Sequence, residues 1–409
     1  MKKSSILMVI FAILTLSVYS QEKPAVNSFV KKQKGFGVVD KDSTFSLKFQ
    51  FRIQNRAAYY SVSDSDLTPD SFEFRVRRLR LKLEGFVVDP RLTYYIQLSF
   101  SRGDMDWRGP DNSTINNSPN IVRDAVIFYN PTKDLKLGFG QTKLPGNRQR
   151  VVSSGDQQFY DRSIVNSSFN IDRDFGFFAH LTKDHFALRG AITSGEGRNS
   201  LISPNNGLAY TGRLEWLPFG RFTDGNDYVE GDLAREQTPK LSLAATYSYN
   251  SQAVRQAGQL GNDLYEERSI KNYSFDALFK YKGWAWSSEY ANRDATNPIT
   301  VNESDATKTR LILAGHGYMT QLSYLFKNNF EIAGRFASVV PASSVYNDPN
   351  FPSINTKQMD QVELGVTKYL NGHRVKIQGA LVYLNQTDLR TSQESSSGWG
   401  AVFQIELGI

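Results

Sequence analysis

Five basic residues crowd one short run of the chain: Arg75, Arg77, Arg78, Arg80 and Lys82, set among Phe72, Phe74, Val76, Leu79, Leu81 and Leu83. On an extended strand alternate side chains share a face, so the apolar residues set one face and the basic residues the other. The phase slips at Arg77–Arg78, which predicts a β-bulge that keeps all five cations on one side. Cations stacked about 6–7 Å apart repel unless anions stand among them. Those anions are either carboxylates of the same wall or ions passing through. Glu73, Glu84, Glu215, Asp276, Glu289, Glu331 and Glu363 fall on the same predicted face, so a charge-balanced wall and an anion-attracting wall both remain open.

A second basic group follows Gly140-Gln-Thr-Lys-Leu-Pro-Gly146. Lys143, Arg148, Arg150 and Arg162 lie in a stretch of residues 143–171 that Pro145 and Gly146 open and Asp174-Phe175 closes. A loop this long either caps its neighbours or folds among them. Folded inward, its cations would narrow a passage. Alternatively Arg162 pairs with Asp161 or Asp156 and only pins the loop. Other chemistry is poorly served. His180, His185, His316 and His373 are scattered without a nucleophile motif, so no catalytic residue is assigned. No Cys/His metal set or phosphate-cradling glycine loop is present, and no cofactor is expected. The oxygens of Asp224–Asp232 could meet Ca²⁺ or simply form a solvated turn, since the spacing lacks EF-hand periodicity.

The elements that must hold these residues are strands. Sixteen alternating runs are readable, roughly 44–60, 72–87, 91–101, 121–130, 134–142, 172–181, 184–194, 207–217, 239–250, 270–282, 283–294, 309–327, 328–340, 358–371, 373–387 and 397–409. Short turns such as Lys282-Gly283 and Asn371-Gly372 follow the even-numbered runs, and long polar loops follow most odd ones. Residues 218–239 break this rule. Strands of about ten residues, tight turns at one end and long loops at the other predict an all-β fold, a closed antiparallel transmembrane β-barrel of about 16 strands. Its last strand, Ala401–Ile409, should pair with the first near Thr44–Asn55, because an open edge in lipid leaves backbone groups unsatisfied. Aromatics at 13% suit the interface girdles of such a barrel, and zero cysteines suits an oxidising periplasm. Lys2 and Lys3, an apolar core over Ile6–Leu16 and Ser20 before Gln21 predict a signal peptide at 1–20. Residues 21–42 form a polar periplasmic lead-in and 43–409 the barrel. The formal charge of +7 is modest, so anionic partners matter only where the charge is concentrated.

Several segments in this order resemble the phosphate-selective porin O and P family: Arg77-Arg-Leu-Arg-Leu-Lys-Leu-Glu-Gly85, Asp124-Ala-Val-Ile-Phe-Tyr129, Gly140-Gln-Thr-Lys-Leu-Pro145, Phe159-Tyr-Asp-Arg-Ser163, Arg173-Asp-Phe-Gly176, Gly212-Arg-Leu-Glu-Trp216 and Glu331-Ile-Ala-Gly-Arg335. Thr142, Asp161 and the terminal Ile409 depart from the residues common in that family. The signal end Tyr19-Ser20-Gln21-Glu22 is similar to those of the Bacteroidetes. The resemblance implies an outer-membrane channel, often a homotrimer embedded among lipid and lipopolysaccharide. It would conduct inorganic anions, phosphate foremost, through an Arg/Lys-lined constriction, with no nucleic-acid partner. A general or other-substrate porin and a structural or docking subunit of an envelope complex are the alternative readings.

Overall fold

The computed structural model describes residues 36–101, 121–200, 207–351 and 355–409. The proposed signal peptide, the lead-in up to residue 35 and the whole loop at 102–120 lie outside the described residues.

Sixteen antiparallel strands close on themselves. After a short strand β1 (Phe36–Val39) they run β2 (Ser46–Ser61), β3 (Pro69–Val87), β4 (Asp89–Ser99), β5 (Val122–Tyr129), β6 (Leu135–Lys143), β7 (Arg173–Lys183), β8 (Phe186–Thr193), β9 (Ala209–Trp216), β10 (Lys240–Arg255), β11 (Asp263–Tyr281) and β12 (Trp284–Ala295). A separate hairpin, β13 (Ile299–Asn302) and β14 (Asp305–Leu311), precedes β15 (Gly315–Leu325), β16 (Phe330–Pro341), β17 (Lys357–Asn371), β18 (Val375–Asp388) and β19 (Gln393–Gly408). Each barrel strand pairs with the next, β12 with β15 across the separate hairpin, and β19 returns to β2.

The alternation that the sequence carries is inside-out. Outward-facing Phe177, Leu188, Leu364 and Leu381 are more than half exposed, where lipid would cover them. The largest fully buried side chains begin with Arg173, Arg213, Arg293, Lys280 and Lys376. Charged groups are buried like this only when paired or hydrogen-bonded, and here they face other polar groups across the lumen. No helix among the described residues is long and apolar enough to cross a membrane.

The bulge falls where the phase slips. Gln54 faces Arg78 and Asn55 faces Val76, which leaves Arg77 as the extra residue. Turn chemistry matches too: Lys282 (φ 48°) and Gly283 (φ 94°) give the two left-handed residues that a tight hairpin needs.

Two expectations need correction. The closing pair runs from Gly400–Tyr60 to Gly408–Arg52, further along β2 than Thr44–Asn55. The N–H of Ile409 reaches only the carbonyl of Phe51 (3.2 Å), and Ser46–Phe49 pair with β1 instead. The run 309–327 is also not one strand. Residues 305–311 belong to the β13–β14 hairpin, and the barrel strand resumes at Gly315, whose φ of 148° and tight fit against Val340 O exclude a side chain. There Ile312 packs with Ala253, Leu264, Ile270 and Ala295 and draws the chain over the barrel rim.

Candidate functional site

After β6 the chain turns into the lumen and does not cap it. It forms α1 (Arg148–Val151) and α2 (Ile164–Phe169) before β7 begins. Polar anchors fix the first half. Asn147 Nδ2 donates to Glu289 Oε1 (2.7 Å), Gln149 N to Glu289 Oε2 (3.1 Å), and Arg148 Nε to Asp276 Oδ1 (2.8 Å). The second half is held by packing. Val165 and Phe169 bury themselves against Ala291, Met319, Ala337 and Val339. Phe159 lies so close to Gly365 that a Cβ there would stand 2.8 Å from Cε1, and the Arg335 guanidinium sits 4.3 Å above its ring. The Ser163 hydroxyl caps α2 by accepting from Asn166 N.

Between this loop and the β2–β4 wall lies a cavity of about 180 Å³. Arg52, Arg80, Lys82, Lys143, Arg150, Arg162, Arg173 and Arg374 line it, against Asp156 and Glu406. Lys82 pairs with Glu84 (2.8 Å) and lies over the Tyr95 ring at 5.0 Å. Arg52 Nη2 and Arg80 Nη1 both donate to Ser154 Oγ (2.7 and 2.8 Å), so the loop and the wall share the cavity's edge. Gly155 permits this approach, since a Cβ there would fall 2.0 Å from Arg52 Nη1.

The nine basic residues singled out in the sequence divide into three groups. Arg80, Lys82, Lys143, Arg150 and Arg162 line the cavity. Arg77 and Arg78 bind Asp161 together with Arg56 (N–O 2.8–3.0 Å), and Arg148 binds Asp276 and, at 3.1 Å, Glu215. These three pin the loop. Arg75 pairs with Glu73 at 2.7 Å and is nearly half exposed away from the cavity. The pairing of Arg162 with Asp161 or Asp156 takes another form. The Arg162 guanidinium donates to the carbonyls of Gln149 (2.5 Å) and Val152 (2.8 Å), and only its backbone N–H reaches Asp161. Lys143 likewise donates to Val151 O and Val152 O. Arg52, Arg173 and Arg374 complete the cavity and were not singled out. Arg52 could have been found from its place on the polar face of β2.

Burial works against charge on the loop, and its partners decide the outcome. Burial raises the Asp161 carboxyl, but Arg78, Arg77 and Arg56 together hold it well below the usual carboxylate range. Burial, with Arg78 beside it, pulls Arg162 down to about 9. Arg150 is pushed well down by burial and by Arg173 and Arg162. The seven carboxylates assigned to the lumen face point inward as expected. Several are consumed locally, as Asp276 is by Arg148 and Arg213 and Glu363 is by Arg335. Asp232 accepts from Asn226 Nδ2, Glu236 N and Gly283 N. No group of three or more acidic or histidine side chains poised for a metal occurs among the described residues.

A sixteen-stranded barrel with a loop folded into its lumen is the architecture of an outer-membrane channel. The family model described as phosphate-selective porin O and P matches residues 47–397, and the chain belongs to that family. The fold is similar to the outer membrane channel DcaP of Acinetobacter baumannii, at 11% identity and a TM-score of 0.56, covering 92% of this chain and 100% of that one. It is also similar to outer-membrane expressed OmpT of Vibrio cholerae, at 10% identity and a TM-score of 0.52, covering 91% of this chain and 100% of the other. The trimer form of in-vitro folded Vibrio cholerae OmpT aligns at 10% identity and a TM-score of 0.50, covering 90% and 100%. No curated protein matches the chain.

Proposed function

We propose that this outer-membrane porin passes small inorganic anions by passive diffusion, with phosphate the leading candidate. The observation that carries the reading is the cavity beside the loop, where eight basic side chains meet two acidic ones. Inside a barrel the field of such a wall is screened less than at an open surface, so anions concentrate there and exchange part of their hydration for guanidinium and ammonium donors. Arg80, Lys82, Lys143, Arg150 and Arg162 are the assigned pathway residues, with Arg52, Arg173 and Arg374 added. Arg77, Arg78 and Arg148 act one step back by holding the loop. The family's name supports phosphate, and the trimer form of the Vibrio OmpT structure supports a homotrimer. Residues 1–20 direct export, 21–42 lead into the barrel, and lipid with lipopolysaccharide surrounds it.

The double variant Arg80→Gln, Lys82→Gln tests the assignment. In planar bilayers at low salt it should lose anion-over-cation preference with little change in conductance. Because screening shortens from about 8 Å at physiological salt to about 3 Å at 1 M, the difference from the parent should fade in molar salt. Full anion preference in the variant at low salt would remove these residues from the pathway.

A further inference from the structure

The lumen has two unlike halves. The cavity and its cations occupy the side of β2–β7 and β19. On the other side the walls of β9, β11, β12 and β16 carry both signs: the buried carboxylates Glu215, Asp276, Glu289 and Glu331 and the buried cations Arg213, Lys280, Arg293 and Arg335. That charge-balanced side is filled from both ends. The loop after β6 enters from the long-loop end, and residues 217–239, between β9 and β10, enter from the other. Connections between barrel strands at that second end otherwise span one to five residues.

Residues 217–239 are docked by chemistry of three kinds. The Lys280 ammonium on β11 donates to the carbonyls of Asn226, Val229 and Gly231, so the chain's own cation fills a carbonyl cage. The Tyr228 hydroxyl donates to Glu215, and the Arg189 guanidinium lies 4.6 Å from the Tyr228 ring. Glu230 joins the segment to the loop. Its N–H donates to Asp156 O (2.8 Å), and its carboxylate accepts from Gln158 N (3.0 Å). Between segment, loop and wall remains a cavity of about 20 Å³, little more than one water occupies.

We propose that residues 217–239 are a stopper, closing the charge-balanced half of the lumen from the short-turn end and confining ions to the basic half. Every ion then passes the cation-lined half and none bypasses it through the charge-balanced one, a consequence that rests on the anion-pathway reading above. Two variants test this in the full chain: replacement of residues 219–238 by Asn-Gly, and Lys280→Met, which leaves the cage carbonyls without a donor. Each should raise single-channel conductance, by less than about twofold for the replacement because the loop after β6 still occupies part of that half. Each should also lower anion preference. The native chain has no cysteine, so Ser287→Cys, inward on β12 at the small cavity, gives a background-free probe. A charged water-soluble methanethiosulfonate should leave this thiol unmodified in the otherwise native chain and modify it once the segment is replaced. Rapid labelling in the otherwise native chain would overturn the stopper, as would unchanged conductance in Lys280→Met or in a folded replacement barrel. A parent channel that prefers cations would instead defeat the anion reading and leave the conductance and labelling outcomes standing.

Discussion

Asp161 shows how a single carboxylate can decide the pore's shape. It gathers Arg56, Arg77 and Arg78 at 2.8–3.0 Å and ties the loop to β2 and β3. Asp161→Asn would leave three guanidiniums without that charge, and removing one partner of a buried ion pair costs about 3–5 kcal/mol. The loop should loosen and channel current should become noisy while the barrel stays folded. Because the Asp161 carboxyl is held below its ordinary value near 3.9, its contribution is complete above about pH 4 and lost as pH falls further. Glu196 runs the opposite way. Burial and then Asp174 push it up to about 8, and its Oε2 is buried with no hydrogen-bond partner. A carboxyl with a raised value favours folding below about pH 4.5 and loses that contribution as pH rises through about 8. Glu196→Gln should therefore stabilise the fold by about 1–2 kcal/mol at pH 8–9 and change little near pH 4, measured by urea unfolding at the two pH values.

At the scale of elements, the strands announce themselves through period two, because lipid on one face and water or polar side chains on the other enforce strict alternation. Leu364 lies mid-strand on the outer face of β17, more than half exposed. Leu364→Arg should cost about 2–4 kcal/mol of folding into lipid vesicles, whereas the inward-facing Gln361→Arg should cost far less. The turns are partly strained. Val88 sits at φ 67°, a region that β-branched residues avoid, so Val88→Gly should stabilise the β3–β4 hairpin by about 1 kcal/mol in the same assay. The barrel strands and the bulge at Arg77 could be read from the residues, except that the run 309–327 merged β15 with the end of the β13–β14 hairpin. The route of the loops could not. Nothing local in Arg77 or Arg148 reveals a carboxylate 80 or more residues away, as Asp161 and Asp276 are, and nothing local in Lys280 reveals the carbonyls that surround it. The excess length of residues 218–239 was visible as an exception, but its inward course is set by long-range hydrogen bonds.

At the scale of the whole molecule, the barrel is a rigid polar cylinder whose bore is set by what folds into it. The loop after β6 and residues 217–239 fill one side, and a cation-lined gap remains on the other. The central claim is that this gap makes the channel anion-selective. Reversal potentials of the purified protein in planar bilayers, under a potassium chloride gradient at low ionic strength and then with phosphate added, test it most directly. The arrangement predicts a reversal potential of the sign set by chloride, and a chloride current that phosphate reduces. A reversal potential near zero, or of the sign set by potassium, would contradict it.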